Sequence, residues 1–168
     1  MGVSEQGVSL DRYTVIPRVL VFPVNGADQV LLLHGAPNKR IWANRWNGIG
    51  GHVEDGESIL RAARRELLEE ANLTAARLKF VGQVMVDTGG NPGIAFFVFK
   101  ATDLSGELKA SEEGALAWFE LEEALELPLV EDLYTILPMV MGGGEAEKPF
   151  WGLYTYDEDN QLCMSFSR

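Results

Sequence analysis

Residues 51–73 read GHVEDGESILRAARRELLEEANL. Asp55-Gly56 is a turn signal, and Ser58 is a helix cap ahead of a run that reads as helical to about Ala71. Ile59, Leu60, Ala63, Leu67 and Ala71 recur near the helical period, so they are expected to face the core while the carboxylates look outward. Glu66, Glu69 and Glu70 stand three and four residues apart, which brings their carboxylates onto one helical face. Adjacent like charges weaken a helix unless something offsets them. Clustered hard oxygen donors suit Mg²⁺ or Mn²⁺, whose charge would do so. Glu57 lies at the helix start, where unsatisfied amides favour an acid. Arg65 follows eight residues later, about two turns on, with a guanidinium able to grip carboxylates bidentately. Ahead of the helix, Gly50-Gly51 permits a tight turn and close backbone approach to a ligand.

Composition narrows the setting. The 168 residues suit one domain with an ordinary core. With 25 acidic and 14 basic residues the formal charge is −11, which repels nucleic-acid backbones and anionic membranes. A small polyphosphate can still bind if a divalent metal bridges the two negative partners. The single Cys163 excludes an internal disulfide and a cysteine metal site. No run reaches the length of a membrane span, and the N-terminal residues lack the parts of a signal peptide, so a soluble, cytoplasmic protein is expected.

Outward from the motif, Tyr13 to Val24 and Gln29 to His34 read as strands around Asn25-Gly26, forming a hairpin or an adjacent pair. Gly35 to Arg45 is a polar connection carrying Lys39, Arg40 and Arg45. Leu78 to Asp87 and Ile94 to Ala101 are two further strands. The second, IAFFVFK, is apolar without clean alternation and is expected to be central and covered on both faces. Ala115 to Phe119 is a short strand, and Leu121 to Leu127 and Val130 to Met141 are helical, broken near Pro128. Gly142 to Gly144 and the polar residues after them form a loop. Phe150 to Tyr156 and Leu162 to Phe166 make a closing hairpin turned at Asp157 to Asn160. Strands flanked by helices imply a mixed sheet covered on both faces.

The 23-residue segment resembles the Nudix box, G-x5-E-x7-R-E-U-x-E-E-x-G-U, where U is a bulky aliphatic residue. Gly51, Glu57, Arg65, Glu66, Leu67, Glu69, Glu70 and Leu73 match it, and Asn72 stands where the family has glycine. Asparagine is the next residue most tolerant of a left-handed backbone, so the helix exit is expected to survive. The resemblance implies an α/β/α sandwich with a central mixed β-sheet, spanning roughly residues 13 to 167, that hydrolyses a nucleoside diphosphate linked to another moiety with Mg²⁺, for which Mn²⁺ can substitute. It implies Glu66, Glu69, Glu70 and the Gly50 carbonyl as metal ligands, with Glu57 and Arg65 orienting them. An acid from a later loop, Glu112 or Glu113, is expected to complete the site, and the general base is Glu66 or that loop.

The approach Arg45-Trp46-Asn47-Gly48-Ile49-Gly50-Gly51 resembles a MutT-like branch acting on oxidised purine triphosphates. That likeness implies Asn47 on the purine edge, Trp118 stacked on the base, and Glu131 and Asp132 reading it, with Glu131 in place of the branch's aspartate. The C-terminal hairpin is similar to that branch's ending. The expected reaction yields a nucleoside monophosphate and pyrophosphate, in a monomer or homodimer acting on a small nucleotide. Another nucleoside diphosphate derivative as substrate, or a catalytically silent nucleotide-binding domain, remain as alternatives.

Overall fold

In chain order the computed structural model contains β1 (Val15–Pro23), β2 (Val30–Gly35), β3 (Trp46–Asn47), α1 (Ile59–Ala71), β4 (Thr74–Val86), β5 (Gly93–Ser105), β6 (Gly114–Phe119), α2 (Leu121–Leu125), α3 (Leu133–Met141), β7 (Phe150–Tyr156) and β8 (Leu162–Ser167). It describes residues 2–7, 9, 11–38, 41–109, 111–142 and 148–168. Lys39 and Arg40, and residues 143–147 of the expected loop, lie outside the described residues.

Five strands form a mixed sheet in the order β1-β5-β4-β7-β8, and β3-β2-β6 form a second, antiparallel one. In the larger sheet β1 runs parallel to β5, and β4 parallel to β7, while β4 with β5 and β7 with β8 are antiparallel. The α/β/α expectation holds. On one face Ala62, Ala63 and Leu67 of α1 pack with Val19, Val21 and Phe99; on the other, Ile136, Leu137 and Val140 of α3 pack with Val84, Val98 and Phe150. The unalternating run in β5 explains itself here. Phe96 and Val98 join one cluster, Phe97 and Phe99 the other, so both faces are covered.

Several boundaries differ from the sequence reading. The Asn25 turn closes as expected, with the Asn25 N–H donating to the Gln29 carbonyl at 3.0 Å and Asn25 Oδ1 accepting from Ala27 and Gln29. Yet β1 and β2 share only the Val24–Val30 bridge and then part into different sheets. One edge of β1 is taken by β5 and the other by the glycine-rich approach, through Val21–Ile49 and Arg18–His52 bridges, so no edge remains for β2. The β4 and β5 strands outrun their apolar stretches, because their pairing continues to Thr74 opposite Ser105 and is flanked at the solvent end by an Arg77–Asp103 ion pair at 3.0 Å. α3 begins at Leu133 rather than Val130, since Leu129 is held in a bridge to Trp46 and Glu131-Asp132 form a turn. The Trp46 N–H donates to the Pro128 carbonyl and the Val130 N–H to the Trp46 carbonyl.

The helix carrying the motif also corrects one expectation. Its buried residues are Ala62, Ala63, Glu66, Leu67, Glu70 and Ala71, whereas Leu60 is 43% exposed. The apolar stripe is rotated from the one expected, and two of the three carboxylates border it instead of looking outward. Among the described residues no helix is long and apolar enough to cross a membrane.

Candidate functional site

Ser58 caps α1 through its hydroxyl, which accepts the Arg61 N–H at 3.3 Å, so the register of the helix is set one residue before its first turn. From that register Arg65 emerges toward the turn, where each of its five N–H donors is used. Nε and Nη2 donate to the two oxygens of Glu57 at 3.1 and 3.0 Å, and Nη2 also to the His52 carbonyl at 2.8 Å. Nη1 donates to Glu66 Oε1 at 2.7 Å and to Glu69 Oε2 at 3.0 Å. The guanidinium therefore ties the loop before the helix to the acid face of the helix itself. Its bond to Glu57 holds that carboxyl below its ordinary value. The His52 carbonyl as a partner had no signal in the sequence, because any residue supplies a carbonyl.

Glu66 and Glu70 are each only 8% exposed, and they flank the Gly50-Gly51 backbone. The Gly50 N–H donates to Glu70 Oε2 at 3.1 Å. A side chain at Gly51 would strike the Glu66 carboxylate, and one at Gly50 would strike the Val19 carbonyl, so both positions need glycine. Ile49 exchanges two hydrogen bonds with Val21, and the Gly51 carbonyl accepts from Val19. Alternation along an extended segment then turns the N–H and carbonyl of Gly50 to the opposite side, toward the glutamates. Burial pushes the Glu66 carboxyl above its ordinary value, against the pull of Arg65.

Among the described residues no group of three or more His, Cys, Asp or Glu side chains converges as a ready metal cluster. Glu66 and Glu69 turn to Arg65, and Glu70 to the Gly50 amide. The donor set nonetheless fits a hard cation. It comprises two buried carboxylates, a more exposed one at Glu69, and a backbone carbonyl facing them, and burial disfavours the negative charge that a cation would neutralise.

A cleft bordered by Leu33, Trp42, Arg45, Asn47, Gly50 and Glu70 adjoins this cluster. Asn47 lies in it, with Oδ1 accepting the Gly48 N–H at 2.8 Å. Trp42, with φ +60° and 48% exposure, stands at its rim; the aromatic count alone does not single it out from three other tryptophans. Trp118 is not among the residues bordering that cleft. Trp118 pairs with Leu31, with β2 between it and β3, and packs against the core beneath α1. Its alternation on β6 turns it inward, while Phe119 meets the Trp46 ring edge-on at 4.9 Å. Glu131 and Asp132 also separate: Glu131 is exposed, Asp132 buried. The Tyr154 hydroxyl donates to Asp132 Oδ2 at 3.2 Å, and Asp132 Oδ1 is buried with no hydrogen-bond partner. Burial raises the Asp132 carboxyl to about 6, with the nearby Glu131 charge adding to the rise. Tyr154 escaped the sequence reading because its partner lies 22 residues away on another element. Glu113 is exposed; its carbonyl accepts the Ala36 N–H at 3.0 Å, fixing its loop beside the end of β2. Neither it nor Glu112 borders the cleft.

Comparison with known proteins gives concordant findings. The family model described as NUDIX domain matches residues 15–140. The chain is 32% identical over 137 residues to an oxidized purine nucleoside triphosphate hydrolase of Mus musculus, covering 81% of this chain and 85% of that protein. It is 35% identical over 102 residues to a CTP pyrophosphohydrolase of Escherichia coli, covering 61% and 75%. Among solved structures, the MutT protein of Bacillus halodurans superposes with a TM-score of 0.75 at 30% identity, covering 90% of this chain and 97% of that one.

Proposed function

The chain belongs to the NUDIX family, and on that premise we propose that it is a nucleoside triphosphate diphosphohydrolase, releasing pyrophosphate and a nucleoside monophosphate, with purine or oxidised purine triphosphates (8-oxo-dGTP-like) among its substrates. One observation carries the reading above all. A single guanidinium binds Glu57, Glu66 and Glu69 together beside the backbone of Gly50-Gly51, at the edge of a cleft that contains Asn47.

Glu66, Glu69, Glu70 and the Gly50 carbonyl would hold Mg²⁺ or Mn²⁺. The ion, when bound, would offset phosphate charge and lower the pKa of water. The chain's own residues do the rest. Arg65 holds the loop and helix in one geometry, so the acids need little reorganisation when substrate arrives. The Gly50 amide steadies Glu70. Glu66, with proton affinity raised by burial, is suited to take a proton from attacking water; Glu113, on its loop beside β2, is the other candidate. Asn47 commits Oδ1 to Gly48, which leaves its amide N–H groups for an acceptor on the base. Asp132 offers a second polar group, and Trp118, half-buried against the core beneath α1, is the aromatic proposed to stack on the base.

A panel of nucleoside triphosphates, nucleotide sugars and dinucleotides, assayed with Mg²⁺ and with Mn²⁺, tests the substrate class. Hydrolysis in ¹⁸O-labelled water tests the bond cleaved. Label in the pyrophosphate is expected for attack at the β-phosphorus, and label in the monophosphate, or release of orthophosphate, contradicts it. A second reading keeps the chemistry and changes the nucleotide. It is favoured by Glu131 standing where the MutT-like branch has aspartate, and by the likeness to a CTP pyrophosphohydrolase. The panel separates the two. Activity that survives chelation, or none at all, rejects both.

A further inference from the structure

Asp132 is 8% exposed, and one of its two oxygens has no partner. A buried carboxylate oxygen left empty is costly, and such groups are retained where something else completes them. The other oxygen, Oδ2, is held by the Tyr154 hydroxyl. Tyr154 is itself 3% exposed, with its ring edge-on to Phe96 at 5.8 Å and to Phe166 at 5.9 Å, so the hydroxyl has little freedom to turn away. Register adds to this. Tyr154 sits opposite Val86 and Met164 on the face of the large sheet that looks toward α3, whose first residue follows Asp132. The Trp46–Leu129 bridge sets the segment leading to Asp132 directly against the strand that carries Asn47.

We propose that Tyr154 is a positioning residue that sets base selectivity: by donating to Oδ2 it leaves Asp132 Oδ1 as a lone acceptor that takes an exocyclic amino group of the nucleobase. The inference rests on the nucleotide reading above. An ionised carboxylate only accepts hydrogen bonds, and a phenol O–H on one oxygen favours that form. Without the phenol, only the backbone N–H groups of Asp132 and Leu133 remain to favour the charged form, the carboxyl takes up a proton more readily, and Oδ1 can then present an O–H to a base acceptor. Selectivity for an amino-bearing edge would fade. Glu131 is the other charged group near Asp132, Tyr154 is the polar side chain facing it from β7, and the backbone N–H groups of Asp132 and Leu133 lie beside it at the start of α3.

The test compares binding of matched nucleoside monophosphates that differ by one amino group. These are GMP against IMP, and AMP against purine riboside 5′-monophosphate, measured by calorimetry on the full-length protein. The wild type should prefer the amino-bearing member of at least one pair by about five- to tenfold, the worth of one hydrogen bond. Tyr154→Phe keeps the ring and its contacts, so it should retain the wild-type Tm within a few degrees while that preference shrinks to about twofold or less. Asp132→Asn should invert the preference, because Tyr154 would hold the amide oxygen and an N–H₂ donor would stand where Oδ1 stood. This second variant decides the matter if the first is unstable. An unchanged preference in Tyr154→Phe, equal weakening toward all four nucleotides, or no preference in the wild type, including by failure to bind, overturns the proposal. The readout does not require turnover, so a wild type that cleaves no triphosphate refutes the proposed activity separately.

Discussion

Replacing Arg65 by lysine keeps the charge but removes the planar fork that grips both oxygens of Glu57 and reaches Glu66, Glu69 and His52. We expect kcat/KM to fall at least about tenfold, each tenfold being ~1.4 kcal/mol at the transition state, with an unchanged circular dichroism spectrum. Steady-state kinetics check this, and full activity in the lysine variant would show that the fork is dispensable. Glu70→Gln preserves shape and the bond from the Gly50 amide but removes a charge from the proposed clamp. Its kcat/KM should fall about a hundredfold or more, roughly 3 kcal/mol, while metal-free stability stays level or rises. Near-normal turnover with unaltered Mg²⁺ dependence would reject the clamp. Asp132 makes a pH prediction with a definite sign. Burial lifts its carboxyl from 3.8 unfolded to about 6 folded, so between those values the native state holds the proton more tightly. The stability this lends is complete below pH 3.8 and is lost as pH rises through 6. Asp132→Asn should therefore be more stable than wild type by about 3 kcal/mol above pH 6, from ~1.4 kcal/mol per pKa unit, and the gap should close toward pH 4. Urea unfolding across that range measures it, and a gap independent of pH contradicts the assignment.

The motif helix shows what an element owes to its two ends. Ser58 was recognisable as its cap and acts as one. At the other end Asn72, where the resemblance asks for glycine, takes φ 56° and ψ 33°, and its Nδ2 donates to the Glu107 carbonyl at 2.8 Å. A β-carbon on Gly106 would strike the Asn72 carbonyl, so the exit is packed tightly against the end of β5. Asn72→Ala should cost about 1 kcal/mol or more, because alanine resists the left-handed region and lacks the side-chain bond. Asn72→Gly should lie within about 1 kcal/mol of wild type, since eased backbone strain offsets the lost tether. Thermal melts of the two variants side by side check the order, and alanine equal to glycine would show that the backbone conformation is not the controlling feature. What could not be read along the helix was its rotation. Counting apolar spacings brought Leu60 inward and left Glu66 and Glu70 outside, because periodicity locates a stripe without saying which side chains at its border are covered by a neighbouring loop. The loop in question is Gly50-Gly51, and its position depends on β1.

Across the whole molecule, a chain of net charge −11 keeps two carboxylates under cover at one point. A cation that binds the folded state alone should raise its stability by mass action, about 2.7 kcal/mol at a hundredfold excess over Kd. That corresponds to roughly 5–10 °C in Tm for a protein of this size. Melting with Mg²⁺ or Mn²⁺ against a chelated sample should show the rise, and Glu70→Gln should reduce it; no shift at saturating metal would count against a site. The elements themselves, their order, the capped acid helix, the Glu57–Arg65 register and the glycines before it were legible in the chain, because each depends on backbone geometry acting over a few residues. The tertiary structure decided which edges of β1 were taken, and so that β2 leaves for a second sheet. It likewise decided that Trp118 lies half-buried against the core, that Asp132 is buried while Glu131 is exposed, and that Tyr154 meets Asp132. Those outcomes come from competition among distant segments for the same strand edges and the same apolar surface. No local spacing records who wins such a competition.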